Sequence, residues 1–65
     1  MLLSEWELWA CANRLVELHG DEAPIFAAMR IDALTDADDE AGAANWRAIL
    51  ARVENLMALP VSALS

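Results

Sequence analysis

The 65-residue sequence has few of the residues from which small proteins build cross-linked or metal-bound cores. It contains one cysteine and one histidine. A single cysteine cannot form an internal disulfide, and one residue of each type is too few for a structural zinc site. A hydrophobic core of this size rarely supplies more than about 3–5 kcal/mol of stability. We therefore expect close helix packing or a second copy of the chain to provide the rest.

Basic residues are also scarce. Four arginines and no lysine stand against 11 acidic residues, which gives a net charge of -7 at pH 7. Such a charge repels nucleic-acid phosphate and anionic lipid over a Debye length of about 8 Å. Direct binding to nucleic acid or to a membrane is therefore disfavoured, and a basic protein surface is favoured as a partner.

Long apolar runs are absent. No run approaches the ~20 residues that a transmembrane helix needs. The opening "MLLSEWELW" lacks the basic start and continuous apolar stretch of a signal peptide. A single free thiol fits a reducing compartment, so we predict a cytoplasmic protein.

The chain has only two glycines and two prolines, and it is rich in alanine, which favours helix. Signals at the helix ends predict three helices, at about 4–19, 22–34 and 40–58. We expect one helical domain over residues 1–59 and a loose tail at 60–65. The predicted fold class is all-α: a small three-helix bundle with short loops, or a helical hairpin with a short third element, with homodimerisation to complete either one left open.

Each predicted helix has a recognisable start. Ser4 and Glu7 have the spacing of a capping box at the first helix. Gly20 can end that helix in a left-handed conformation, and Asp21 is the expected N-cap of the second. Asp38 or Asp39 is expected to cap the third helix.

Apolar spacing predicts how the helices pack. The first helix places six residues on one broad face: Leu8, Cys11, Ala12, Leu15, Val16 and Leu18. The second helix is apolar on two sides, which indicates a middle element between the other two. Trp46 is expected to be the core residue of the third helix, facing the first, with Trp9 closing the end of the bundle against it.

Trp6 is the exception to this pattern, because it projects opposite the apolar face of its helix. Tryptophan is enriched at the centres of protein interfaces. We predict a contact surface formed by Trp6, Ala10, Asn13 and Glu17, for a second copy of the chain or for another protein. The alternative is that Leu2 and Leu3 fold back over Trp6.

No motif indicates catalysis. His19 with Asp21 and Glu22 is interpreted as a helix end followed by a cap, since a metal site would need further ligands. Cys11 lies on the predicted buried face, away from any activating base. No glycine-rich loop or nucleophile elbow is present. We expect no catalytic residue, no cofactor, no metal site and no small-molecule substrate.

An acidic surface is predicted in the loop "TDADDE", formed by Asp36, Asp38, Asp39 and Glu40. The spacing begins like a calcium loop, but the sixth and twelfth positions hold Ala41 and Arg47 instead of glycine and glutamate. A solvated capping loop is the better interpretation, and weak surface binding of divalent ions stays open.

Together these segments resemble a known family: "ELWACA" at 7–12, "HGDEAPIF" at 19–26, "RI" at 30–31 and the pattern from "DEAG" through "WRAI" within 39–56. The chain resembles short, uncharacterised bacterial proteins of alphaproteobacterial type, a domain of unknown function. The resemblance implies a free-standing small bacterial protein, with no reaction, cofactor or binding residue to transfer. That family commonly has a glycine before the aspartate in the "TDADDE" loop, so the start of the third helix stays open.

Two functions follow from these observations. The first is a small acidic interaction module or regulatory adaptor without catalysis, which uses the apolar surface around Trp6. The second is an acidic decoy or antitoxin-like inhibitor, whose carboxylates replace phosphates and block a basic nucleic-acid-binding site. Salt would separate the two, because electrostatic decoy binding weakens steeply with ionic strength and apolar contact does not.

Overall fold

A computed structural model describes residues 3–58, and the fold over this range is all-helical, without a strand. Helix α1 spans Glu5–His19, a short 3₁₀ turn spans Gly20–Glu22, α2 spans Ala23–Asp36 and α3 spans Glu40–Ala58. These bounds lie within two residues of the predicted ones. The predicted tail at 60–65 lies outside the described residues.

The predicted bundle of three helices joined by loops needs correction. The described chain forms two continuous helical segments, 5–36 and 40–58, because the 3₁₀ turn joins α1 directly to α2. Gly20 has φ 56° and ψ -127°. Its φ is positive as predicted, but its ψ is not that of a left-handed helix. Only glycine adopts this backbone conformation readily, so Gly20 allows the first segment to bend without a loop.

Helix α3 is the central element, not α2 as the sequence suggested. It packs against both α1 and α2, whereas those two make few contacts with each other. On α2 only Ala23 and Ala27 are buried, while Ile25 is 60% and Met29 65% exposed. The second apolar side of α2 therefore faces solvent.

Alanine makes up half of the buried core. The core residues are Leu8, Ala12, Leu15, Ala23, Ala27, Ala43, Ile49 and Val53. Ala12, Ala23 and Ala27 have no exposed surface, and Val53 is the largest fully buried side chain. Because the distance between packed helices depends on the side chains at the contact, these small residues allow a close approach to α3.

The buried face of α1 is narrower than predicted. Leu8, Ala12 and Leu15 are buried as expected. Cys11 and Val16 are half-buried, and Leu18 is 60% exposed, so its placement on the buried face was wrong. The reason is that α1 packs mainly on α3, which covers one side of the helix.

The turn between α2 and α3 is built from hydrogen bonds of the backbone and one aspartate. The Asp38 and Asp39 amides donate to the carbonyls of Thr35 and Leu34, as in a Schellman motif. Asp38 takes a positive φ of 60°. Asp39 then caps α3 by accepting from the Gly42 amide at 2.9 Å, which confirms one of the two predicted caps.

The predicted cap at Asp21 is wrong. The residue before α2 is Glu22, and no side chain caps this helix start. The 3₁₀ turn replaces the cap, since the Ala23 amide donates to the Gly20 carbonyl.

We predict that Ala27→Leu destabilises the fold by about 1–3 kcal/mol, because the larger side chain has no room between α2 and α3. The control is Ala28→Leu, which makes the same change at the next, exposed residue and should alter stability by less than about 0.5 kcal/mol. Urea unfolding followed by far-UV circular dichroism measures both. Equal midpoints for the two variants would contradict the close packing at Ala27.

We predict that Asp38→Gly stabilises the protein by roughly 0.5–1 kcal/mol, because glycine adopts a positive φ without strain. Asp38→Ala removes the same carboxylate but keeps a Cβ, so it should be about 1 kcal/mol less stable than Asp38→Gly. The same unfolding experiment tests this order. A glycine variant no more stable than the alanine variant would show that residue 38 is not held at positive φ in solution.

Candidate functional site

The four residues of the predicted contact surface lie on one side of α1 and are all exposed. We call Trp6, Ala10, Asn13 and Glu17 the α1 outer stripe. Their spacing of i, i+4, i+7 and i+11 places them in a row along the helix. Trp6 is 77% exposed, the largest exposed fraction among the large hydrophobic residues of the described chain. The stripe lies opposite the buried residues Leu8 and Leu15.

The helix start holds Trp6 in place at the backbone. The predicted capping box is present: the Ser4 hydroxyl accepts from the Glu7 amide at 3.2 Å, and the Glu7 carboxylate accepts from the Ser4 amide at 2.9 Å. The hydrogen bond from the Ser4 amide is the main cause that lowers the pKa of Glu7 below its usual value, followed by a hydrogen bond of the carboxylate with the Ser4 side chain. Trp6 thus extends from an ordered first turn of the helix.

The neighbouring tryptophan is anchored instead of free. The Trp9 indole Nε1 donates to Glu5 Oε1 at 3.1 Å, and Arg52 Nη2 on α3 donates to the same oxygen at 2.9 Å. The guanidinium carbon of Arg52 lies 5.6 Å from the Trp9 ring centre, a cation–π contact. We call these three residues the Arg52 cluster.

Arg52 is the centre of this cluster because most of it is shielded from water. Its side chain is 19% exposed, while that of Glu5 is 73% exposed. Arg52 Nη1 also donates to the Ala48 carbonyl at 3.0 Å, which fixes the guanidinium plane against α3. The hydrogen bond from Arg52 is the main cause that lowers the pKa of Glu5 below its usual value, followed by the hydrogen bond from Trp9.

The sequence interpretation assigned the wrong partners to two tryptophans. Trp9 contacts Arg52 and not Trp46. Trp46 is half-buried against α2 and not α1: its ring centre lies 6.0 Å from that of Phe26, and the Arg30 guanidinium carbon lies 5.7 Å from it. Only the i, i+4 spacing of Glu5 and Trp9 was visible in the sequence. Arg52, which lies 47 positions after Glu5, could not be recognised from the sequence as their partner.

The four residues of the predicted acidic surface are exposed, but they do not form a continuous negative stripe. Asp39 is used as the cap of α3. A shallow cleft of about 410 Å³ lies beside the turn, and Arg47 lines it together with Asp38 and Glu40. The guanidinium thus places positive charge among the carboxylates.

The surroundings of His19, at the junction of α1 and α2, and of Cys11 fit a structural role. The His19 ring stacks on Phe26, with 4.3 Å between ring centres and 16° between planes. Cys11 is half-buried and free. Within residues 3–58, no three histidine, cysteine or acidic side chains are grouped so that they could hold a metal ion. None of the helices in this range is both long enough and apolar enough to cross a membrane.

We predict that acid destabilises the protein partly through Glu5. Its pKa is lower in the folded chain than its ordinary value of 4.5, so the unfolded chain binds more protons in this range. The resulting stability is present above the ordinary pKa and is lost as pH falls through the folded pKa. Glu5→Gln should therefore lose less stability than the parent protein between about pH 6 and pH 3.

Urea unfolding at several pH values measures this difference. Glu17→Gln is the matched control, since among residues 3–58 the Glu17 carboxylate pairs only with exposed Arg14, at 3.5 Å. Its pH dependence should stay close to that of the parent. If the Glu5 and Glu17 variants lose stability in parallel with the parent, the hydrogen bonds to Glu5 do not contribute to folding.

Comparison with known proteins identifies a family but no function. No curated protein and no solved structure is significantly similar to the chain. A family model, described as a family of unknown function, DUF6961, matches residues 4–59. This range includes α1, α2, α3 and both turns between them. The chain therefore belongs to the family of unknown function DUF6961.

Proposed function

We propose that the protein is a small, acidic, non-catalytic interaction module of the bacterial cytoplasm, a regulatory subunit or adaptor. The α1 outer stripe is its contact surface, and the partner is a second copy of the chain or another protein. Nucleic acid, membrane lipid and small-molecule substrates are not partners in this proposal.

The exposure of Trp6 is the observation that carries the proposal. Within the described residues Trp6 has no hydrogen bond or ring contact, whereas Trp9, three residues later, has an acceptor and a cation. Large exposed side chains of this type are enriched among the residues that dominate binding energy. The ordered helix start also reduces the entropy that Trp6 would lose on binding.

Self-association is the simplest use of this surface. Antiparallel α1 helices of two copies, related by a two-fold axis between Trp6 and Ala10, would place each tryptophan over the other copy's alanine. Ala10 leaves room for the indole, and the two Glu17 carboxylates lie at opposite ends of such a contact. A small core gives a reason for the second copy, since burial at the contact would add to stability.

We predict that the parent protein dissociates from dimer to monomer on dilution, and that Trp6→Ala shifts this equilibrium to monomer because the central contact is lost. The helix content of the variant should stay that of the parent, since Trp6 is 77% exposed. Sedimentation equilibrium over a range of concentrations measures the mass. Leu18→Ala is the matched control: it truncates an apolar residue of α1, 60% exposed, that lies off the stripe.

Two outcomes would contradict parts of this proposal. A parent protein that is monomeric at every concentration would rule out self-association and leave a different protein as the partner. Unfolding of Trp6→Ala would show that Trp6 belongs to the core, and the contact surface would be abandoned.

The acidic decoy is the second candidate, and one observation favours it. Asp36 and Asp38 are exposed but cap no helix start, so capping does not account for every carboxylate near the turn. Asp36 even lies at the end of α2, where the helix dipole disfavours a negative charge. Binding of a decoy to a basic protein would weaken by orders of magnitude from low to moderate salt, while contact through Trp6 would change little.

A further inference from the structure

A second row of exposed residues lies on α2, away from Trp6. It consists of Ile25, Met29, Asp32 and Asp36, which we call the α2 outer stripe. Ile25 is 60% and Met29 65% exposed, and both aspartates are exposed. At about 100° per residue the stripe lies opposite Ala23 and Ala27, the residues that α2 buries.

The stripe has the spacing of a helix–helix contact. Its steps of four, three and four residues are those of alternating d and a positions in a coiled coil. The first two positions are apolar and the last two carry negative charge. Arg30, the one basic residue of α2, is off the stripe with its guanidinium carbon 5.7 Å from the Trp46 ring centre. Helix α2 therefore places no basic side chain beside these carboxylates on their own face.

This charge pattern disfavours a second copy of α2 as the occupant. A parallel copy would place Asp32 and Asp36 beside the same two carboxylates of its partner. An antiparallel copy would press them against the apolar half, Ile25 and Met29. Both arrangements leave negative charges without counter-charges at a helix contact, which is costly.

We propose that the α2 outer stripe binds a basic amphipathic helix of another protein. Two apolar side chains of that helix cover Ile25 and Met29, and arginine or lysine one to two turns further along meets Asp32 and Asp36. This surface is separate from the α1 outer stripe, so the protein has two contact faces: one on α1 and one on α2. The apolar half supplies burial, and the acidic half sets the direction and register of the partner.

A designed helical peptide tests the proposal. The probe is a fluorescent peptide of about 18 residues with Leu, Leu, Arg and Arg at positions i, i+4, i+7 and i+11. The control peptide has the same composition, with both leucines moved to the opposite side. Anisotropy titration should show that the probe binds at least about tenfold more tightly than the control peptide, because only the probe covers both halves of the stripe.

Double variants test the apolar half and the acidic half of the α2 outer stripe separately. Ile25→Ser with Met29→Ser should weaken binding of the probe by about tenfold through lost apolar burial. Asp32→Asn with Asp36→Asn should also weaken it and should reduce its dependence on salt. Glu40→Gln with Glu54→Gln removes the same charge from exposed positions on α3 and should leave binding close to that of the parent. Circular dichroism checks that each variant keeps its helices.

Three results would overturn the proposal: equal binding of the two peptides, unchanged binding after loss of Ile25 and Met29, or no binding of the probe at millimolar protein. If the two peptides bind equally and only the aspartate variant weakens binding, the surface is purely electrostatic. Trp6→Ala should not change binding of the probe, so this test and the test of the α1 outer stripe can fail independently.

Discussion

The packing of α3 against both α1 and α2 is the interaction on which the rest of the structure depends. It is made with small residues: Ala12 on α1 and Ala23 and Ala27 on α2 have no exposed surface. Because α1 and α2 make few contacts with each other, α3 is what holds them in one fold. Small side chains at this contact allow the helix axes to approach closely, where a bigger core would contain large apolar side chains.

Polar and aromatic contacts secure the two ends of this arrangement. Near the start of α1 the Arg52 cluster ties the first turn to α3. Between α2 and α3, the Trp46 ring contacts both Phe26 and Arg30 of α2. In both places an arginine guanidinium lies over a tryptophan ring, so the cation and the aromatic face pack together. Two of the three tryptophans are thereby explained by folding, and Trp6 is not.

The helix ends could be predicted from the sequence because their signals act over a few residues. The hydrogen bonds between Ser4 and Glu7 and from Gly42 to Asp39 each span three residues. The exposure of Trp6 could be predicted from its angular position on the helix, opposite the apolar face. The bend at Gly20 and the central place of α3 could not be predicted, because they depend on which face of α2 meets α3. The Arg52 cluster joins residues 47 positions apart, and no local pattern marks such a pair.

The one-sided packing of α1 and α2 explains why so many apolar residues face solvent. Each of these helices buries one side against α3, and the opposite side is exposed in the part of the chain that the structure describes. On both helices the free side has the same i, i+4, i+7, i+11 spacing, with its apolar residues in the first half and its acidic residue or residues toward the end. Acidic residues in such a row limit which helices can pack on it, since a partner must match apolar and charged positions together. A row of this kind therefore accepts fewer partner helices than an apolar patch alone would.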